Sequence, residues 1–261
     1  DKLKLISFIF RYLIHFFESR NTKGHGVHSP YLFRFTQCVI YEKTPFYIFP
    51  EIEKLRASLR HDQRQLHLTD YGTGNRTASR VCDVARKSLK SPRQAQLLYR
   101  IVNFTKANTV LELGTSLGIT TSYLAASNSQ LRCITLEGSE ELAAVARDNF
   151  RKLGLKNIEI VTGNIDQTLD AVLNGIETLD VVFFDANHRK EAVLQYFEKC
   201  VKHISRYSVF IVDDIHWSRD MEDAWIEIQN HRDVQSTIDL FDCGLVFFDS
   251  YLSNKHYKMK H

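Results

Sequence analysis

Two uninterrupted apolar runs, Val181-Val182-Phe183-Phe184 and Val209-Phe210-Ile211-Val212, each stop abruptly on aspartate. A strand with one wet face alternates polar and apolar residues. A run that is apolar throughout must be covered on both faces, as the central strands of a parallel sheet are. Parallel neighbours need helical crossovers, and the chain supplies them. Strands expected at 109–113, 131–136, 158–162, 179–184 and 208–212 alternate with helices expected at 119–126, 140–153, 166–174 and 190–203. A further helix opens at Ser91-Pro92, a cap followed by a proline suited to a first turn. Such alternation predicts an α/β fold with a doubly wound, mostly parallel sheet. After a helix expected at 219–230, the runs 234–241 and 245–251 flank Asp242-Cys243-Gly244 and read as a closing antiparallel hairpin. Together these make seven strands.

The first part of the chain is different. All four prolines lie within the first 92 residues, which suggests a helical extension over 1–90 ahead of an α/β domain over 91–261. In 3–17, the polar residues Lys4, Ser7, Arg11 and His15 recur every three or four positions, with Glu18 continuing the stripe. Arg11 and His15 interrupt what would otherwise be a spanning segment, and the run ends in Glu18-Ser19-Arg20, unlike a cleaved leader. The helix is expected to pack on the body or on a second copy in a homodimer. With only two firm positive charges in its stripe, membrane contact is the weaker reading. Because the sequence opens on Asp1 and not Met, a few residues are expected to be missing before it.

The five cysteines lie far apart with no C-x-x-C pair, so neither a disulfide framework nor a zinc ribbon is expected, and a reducing cytoplasm is. A net charge of +3 does not by itself call for nucleic acid.

The strongest local signal is Val110-Leu111-Glu112-Leu113-Gly114-Thr115-Ser116-Leu117-Gly118, which reads strand, glycine turn, helix start. Open α/β sheets bind ligands at such strand ends. The spacing is E-x-G-x-x-x-G, not the G-x-G-x-x-G of dinucleotide sites. Glu112 would repel a pyrophosphate and suits an ammonium group. The next strand ends on Glu137, able to accept hydrogen bonds from both ribose hydroxyls, and the third ends at Gly163-Asn164-Ile165-Asp166, where a base could rest on Ile165. Ammonium, ribose and base without phosphate describe S-adenosylmethionine. A second glycine turn, Asp70-Tyr71-Gly72-Thr73-Gly74-Asn75-Arg76, leads into an expected basic helix over 76–90 and reads as a surface turn.

On these residues the chain resembles the class I methyltransferases, whose Rossmann-like fold has a seven-stranded sheet ending in an antiparallel hairpin. The resemblance implies cofactor contacts from Glu112, Gly114, Thr115, Ser116, Gly118, Thr120, Glu137, Gly138, Asn164, Ile165 and Asp185. Within that class the aspartates ending the apolar runs look like those of the catechol and caffeoyl-coenzyme A O-methyltransferase group. There, such carboxylates hold a divalent metal that chelates vicinal hydroxyls. The likeness implies Asp185, Asp213 and Asp214 as ligands of Mg²⁺ or a similar cation. Two positions depart from the group. Asp214 stands where it has Asn, and His188 stands where it has a catalytic Lys. A histidine titrates near neutrality without tuning, so His188 is the expected base, with Asp185 beside it.

The resulting expectation is transfer of a methyl group to oxygen of a small hydroxylated aromatic acceptor. Three alternatives stand beside it: a hydroxylated tRNA base as acceptor, a binding protein on the same scaffold, and a nicotinamide oxidoreductase, which Glu112 and the glycine spacing oppose. His216 and Trp217 could wall an acceptor, or the Trp could be buried over the sheet. Gly24-His25-Gly26-Val27-His28-Ser29-Pro30 could form a lid or simply turn the chain.

Overall fold

The computed structural model describes residues 2–69 and 76–261, side chains of 2–8, 69 and 76 aside. The turn read at 70–75 lies outside the described residues. The chain runs α1 (Lys2–Glu18), α2 (Pro30–Phe35), α3 (Phe49–Leu59), β1 (Gln65–Thr69), β2 (Arg76–Arg80), α4 (Val81–Ser88) and α5 (Pro92–Thr105). Then come β3 (Thr109–Leu113), α6 (Ile119–Ala125), β4 (Arg132–Glu137), α7 (Glu140–Lys152), β5 (Ile158–Thr162) and α8 (Ile165–Leu173). The last stretch holds β6 (Leu179–Phe184), α9 (Lys190–Cys200), β7 (Ile204–Asp213), α10 (Arg219–Gln229), β8 (Ser236–Asp239), β9 (Cys243–Phe247) and β10 (Lys255–Lys258). Two compact units divide these elements, one of residues 43–175 and one of 1–42 with 176–261. The expected division at residue 90 bounds neither.

In the 43–175 unit β3, β4 and β5 pair in parallel, with Leu113 opposite Leu136 and Glu137 opposite Thr162. Ser91 closes a capping box with Gln94, so α5 starts where its sequence says it should. Its core gathers Ile52, Leu59, Val81, Tyr99, Leu117 and Tyr123. The basic helix expected from residue 76 begins later. Residues 76–80 pair antiparallel with 65–69, Leu68 opposite Thr77, and the helix opens only at Val81.

In the other unit β6 and β7 pair in parallel, Phe184 opposite Val212. β7 is ten residues long, so it begins four residues before the expected run. β9 lies antiparallel between β7 and β8, which is the expected hairpin, but its turn is displaced. Cys243 and Gly244 belong to β9, and the bend falls on Phe241, whose φ is 73°. Gly244 serves packing instead of turning, because a Cβ there would lie 2.4 Å from the Trp225 ring. β10 adds a parallel strand beside β8. The orders β3-β4-β5 and β10-β8-β9-β7-β6 give eight strands among the described residues where seven were expected.

Candidate active site

The glycine turn is built by backbone constraint. Gly114, Ser116 and Gly118 all take positive φ (103°, 49° and 76°), and Gly118 caps α6 in the left-handed conformation. A side chain at Gly118 is also excluded by packing, since a Cβ would lie 2.6 Å from Phe150. Gly114 N–H donates to Leu136 O at 2.9 Å, which ties the turn to β4.

Glu137 closes the turn from the next strand. Its Oε2 accepts from Ser116 N–H at 2.7 Å and its Oε1 from Ser139 N–H at 2.9 Å. Burial pushes this carboxyl above its ordinary value, against the backbone N–H groups of Ser139 and Ser116 that favour its charge. One carboxylate thus fixes two loops. Gly138, next in the chain, is half-buried, and Thr120 on α6 is buried.

Glu112 is different from what the spacing suggested. It has no exposed surface, and its Oε2 accepts from Thr135 Oγ1 at 2.7 Å and from Thr121 Oγ1. Thr115 Oγ1 lies 2.6 Å from Thr135 Oγ1, which extends the cluster to the glycine turn. The carboxylate expected to meet an ammonium group is thus also tied to the turn through these hydroxyls. Thr121 and Thr135 escaped sequence reasoning because nothing local marks a hydroxyl nine or twenty-three residues away as a partner. At the end of β5, Gly163 N–H donates to Glu137 O at 2.9 Å, and Asn164 caps α8 through Asp166 N–H at 3.0 Å. Ile165 is half-buried beside it.

In the other unit the β6 and β7 ends bring three acids to one register, Phe184 and Val212 being partners just before Asp185 and Asp213. Asp213 is buried. Asp214 takes φ 54°, its N–H donating to Asp242 O at 2.7 Å. His188 follows Asn187, which takes φ 52°, and its Nε2 lies 3.8 Å from both Asp185 Oδ1 and Asp214 Oδ2. The imidazole therefore sits between two carboxylates at ion-pair distance, beyond hydrogen-bond length. Among the described residues no three His, Cys, Asp or Glu side chains converge as metal ligands would. The metal set implied by their spacing, Asp185, Asp213 and Asp214, is not found as such a group.

His216 does not wall an acceptor. Its Nε2 bonds Asp239 Oδ2 at 2.9 Å and its Nδ1 lies 3.2 Å from Glu222 Oε1. Trp217 is 62% exposed, and the tryptophan buried over the sheet is Trp225. His25 and His28 are both exposed, while Ser29 caps α2 through Leu32 N–H at 3.3 Å.

Comparison with known proteins starts from the same turn. Residues 111–215 match a family model described as a methyltransferase domain. Over 127 residues the chain is 33% identical to the catechol O-methyltransferase of Mycobacterium tuberculosis, covering 48% of this chain and 56% of that protein. It is 35% identical over 127 residues to the catechol O-methyltransferase of Niastella koreensis, with the same shares of 48% and 56%. The chain thus matches only about half the length of these curated relatives. The fold extends further. An O-methyltransferase of Bacillus cereus, solved in complex with SAH, superposes with TM-score 0.57 at 22% identity, over 82% of this chain and 95% of that one.

Proposed function

We propose that this chain, whose residues 111–215 match a methyltransferase domain model, is an S-adenosylmethionine-dependent O-methyltransferase acting on a small hydroxylated aromatic acceptor. The observation that carries the reading is Glu137, whose two oxygens hold the Ser116 and Ser139 amides at the strand end where a ribose would bind. In this reading Gly114, Thr115, Ser116, Gly118 and Thr120 cradle the methionine portion of the cofactor, and Gly138, Asn164 and Ile165 its adenosine. Glu112 acts through Thr121 and Thr135 as a positioning residue.

The chemistry is an in-line displacement. The acceptor hydroxyl gives its proton to His188 Nε2, and its oxygen forms a bond to the methyl carbon. The carbon–sulfur bond breaks, its electron pair returns to sulfur, and S-adenosylhomocysteine leaves. Asp185 and Asp214 each stand 3.8 Å from His188 Nε2 and support the ring at that position. Asp185, Asp213 and Asp214, at the ends of β6 and β7, are the residues that would hold a divalent cation, which would supply a lowered pKa of the acceptor hydroxyl. The acceptor class rests on the catechol O-methyltransferase relatives. The five cysteines, none joined in a disulfide among the described residues, support a reducing compartment, the cytoplasm.

Thermal unfolding with and without S-adenosylhomocysteine tests the cofactor. Ligand at a hundred times its dissociation constant adds about 2.7 kcal/mol of stability. No shift at millimolar ligand sinks the reading. A shift with no methylation across a panel of catechols and related phenols points to the binding protein on the same scaffold.

A further inference from the structure

Helix α1 is assembled inside out. His15 is buried, with its Nε2 2.9 Å from Asp239 Oδ1. One turn before it, Arg11 donates from Nη1 to His216 O at 3.3 Å and pairs through Nε with Glu222, also at 3.3 Å. One turn after it, buried Ser19 donates to His15 O at 2.7 Å. Positions 11, 15 and 19 are one face of a helix, so the polar stripe seen in the sequence points at the protein. Leu13 and Phe17 lie opposite His15. The outward face, with Ile9, Phe10, Leu13 and Phe17, is apolar, and Phe10 and Phe17 are 64% and 78% exposed.

Charge indicates what covers this face. The chain leaving α1 is tied to the C-terminal strand, Asn21 N–H donating to Lys258 O at 3.4 Å and Lys260 N–H to Thr22 Oγ1 at 3.3 Å. That pairing brings lysines to the helix. Lys260 Nζ lies 3.5 Å from the centroid of the Phe16 ring, and Lys258 Nζ is 2.5 Å from Glu18. Arg20 and Lys23, both exposed, follow at the helix end. Of the acids that reach α1, Glu18 pairs with Lys258, Glu222 with Arg11, and Asp239 with the His15 and His216 rings. An apolar face flanked by cations matches an anionic lipid surface, where aromatic and aliphatic groups enter the acyl boundary and lysines meet the headgroups. A second copy docked by two-fold symmetry would instead set like-charged flanks against each other.

We propose that α1 is an interfacial helix that docks this protein on the surface of an anionic bilayer. No described helix is long and apolar enough to cross a membrane. The two charges of the helix's own stripe were the wrong ones to count. The relevant cations come from its end and from residues 258–260.

The experiment is co-sedimentation of the full chain with vesicles of phosphatidylcholine alone and of phosphatidylcholine mixed with phosphatidylglycerol. The protein is expected to pellet with the mixed vesicles and to be released by salt. The double variant Phe10→Ser/Phe17→Ser is expected to lose at least about tenfold in partitioning, with its unfolding temperature unchanged because both side chains are exposed. Lys258→Gln/Lys260→Gln is expected to weaken binding by about fivefold per lysine. Protein that stays in the supernatant with mixed vesicles overturns the proposal. So does a dimer in sedimentation velocity that dissociates in the Phe10/Phe17 variant while vesicle binding is absent, which would assign the face to a second copy.

Discussion

The glycine turn after β3 and the acid turn after β7 are both strand ends carrying residues with positive φ, yet they are held very differently. Around the glycine turn, every carboxylate is engaged by protein donors within about 3 Å. Glu137 holds two amides, and Glu112 holds two hydroxyls. At the acid turn His188 stands 3.8 Å from both Asp185 and Asp214, a separation that leaves room for adjustment. A site that must present a sulfonium reproducibly gains from preorganised donors. A site that must accept a proton and release a product gains from groups that tighten only when substrate arrives. Binding is expected to fail at the first turn and turnover at the second.

The sharpest way to break this contrast is Gly118→Val. The substitution puts a β-branched residue at φ 76° and its Cβ 2.6 Å from the Phe150 ring. A loss of about 3 kcal/mol in unfolding free energy, with no remaining shift from S-adenosylhomocysteine, is expected. A variant that unfolds normally and still binds would mean that the turn is not rigid. Glu137→Ala follows. It orphans the Ser116 and Ser139 amides and is expected to cost about 2 kcal/mol of cofactor affinity, read by calorimetry, with a smaller change in stability. His188→Ala should do the reverse. Turnover is expected to fall by about two to three orders of magnitude with cofactor affinity unchanged. An unaltered pH–rate profile in that variant would remove the imidazole from the mechanism.

The two turns also differ in how legible they were. The glycine turn is a local device, with cap, turn and strand contiguous in the chain, so Gly114, Gly118 and Glu137 could be placed from spacing alone. The role of Glu112 could not be, because its partners Thr121 and Thr135 come from α6 and β4, and hydroxyl pairing leaves no periodic trace. The aspartates at the ends of β6 and β7 were legible for the same reason as the strands, since an apolar run must stop somewhere. The backbone bend at Asp214 was not, because its φ of 54° accompanies a bond from its N–H to Asp242 O, on a different element. Gly244 misled because a glycine between strands ordinarily marks the turn, whereas here Trp225 needs the space. The stripe of α1 was read correctly as a stripe, but its direction depended on Asp239 and Glu222, more than two hundred residues away.

That remote contact gives a pH test of how the acid turn is supported. Two residues beyond Asp214, His216 bonds Asp239, which also holds His15. Burial alone would lower His216, but the hydrogen bonds and charges of Asp239 and Glu222 outweigh it and hold the imidazole above its ordinary value. Burial would raise Asp239, yet its bonds to His15 and His216 keep it well below the usual carboxylate range. The raised histidine contributes stability that is complete below about pH 6.5, its unfolded value, and is lost as pH climbs through the folded one. The lowered aspartate contributes above about pH 3.9 and loses its share as pH falls through its folded value. The support of the acid turn is therefore strongest in mild acid. Unfolding free energy is expected to drop by about 1 kcal/mol as His216 deprotonates, the difference between a charge-assisted and a neutral hydrogen bond. His216→Gln should flatten that slope and leave the cofactor-induced stabilisation intact. A slope that persists in the variant would place the titrating group elsewhere. A cofactor response that follows the same pH curve would mean that the two turns are not independently held.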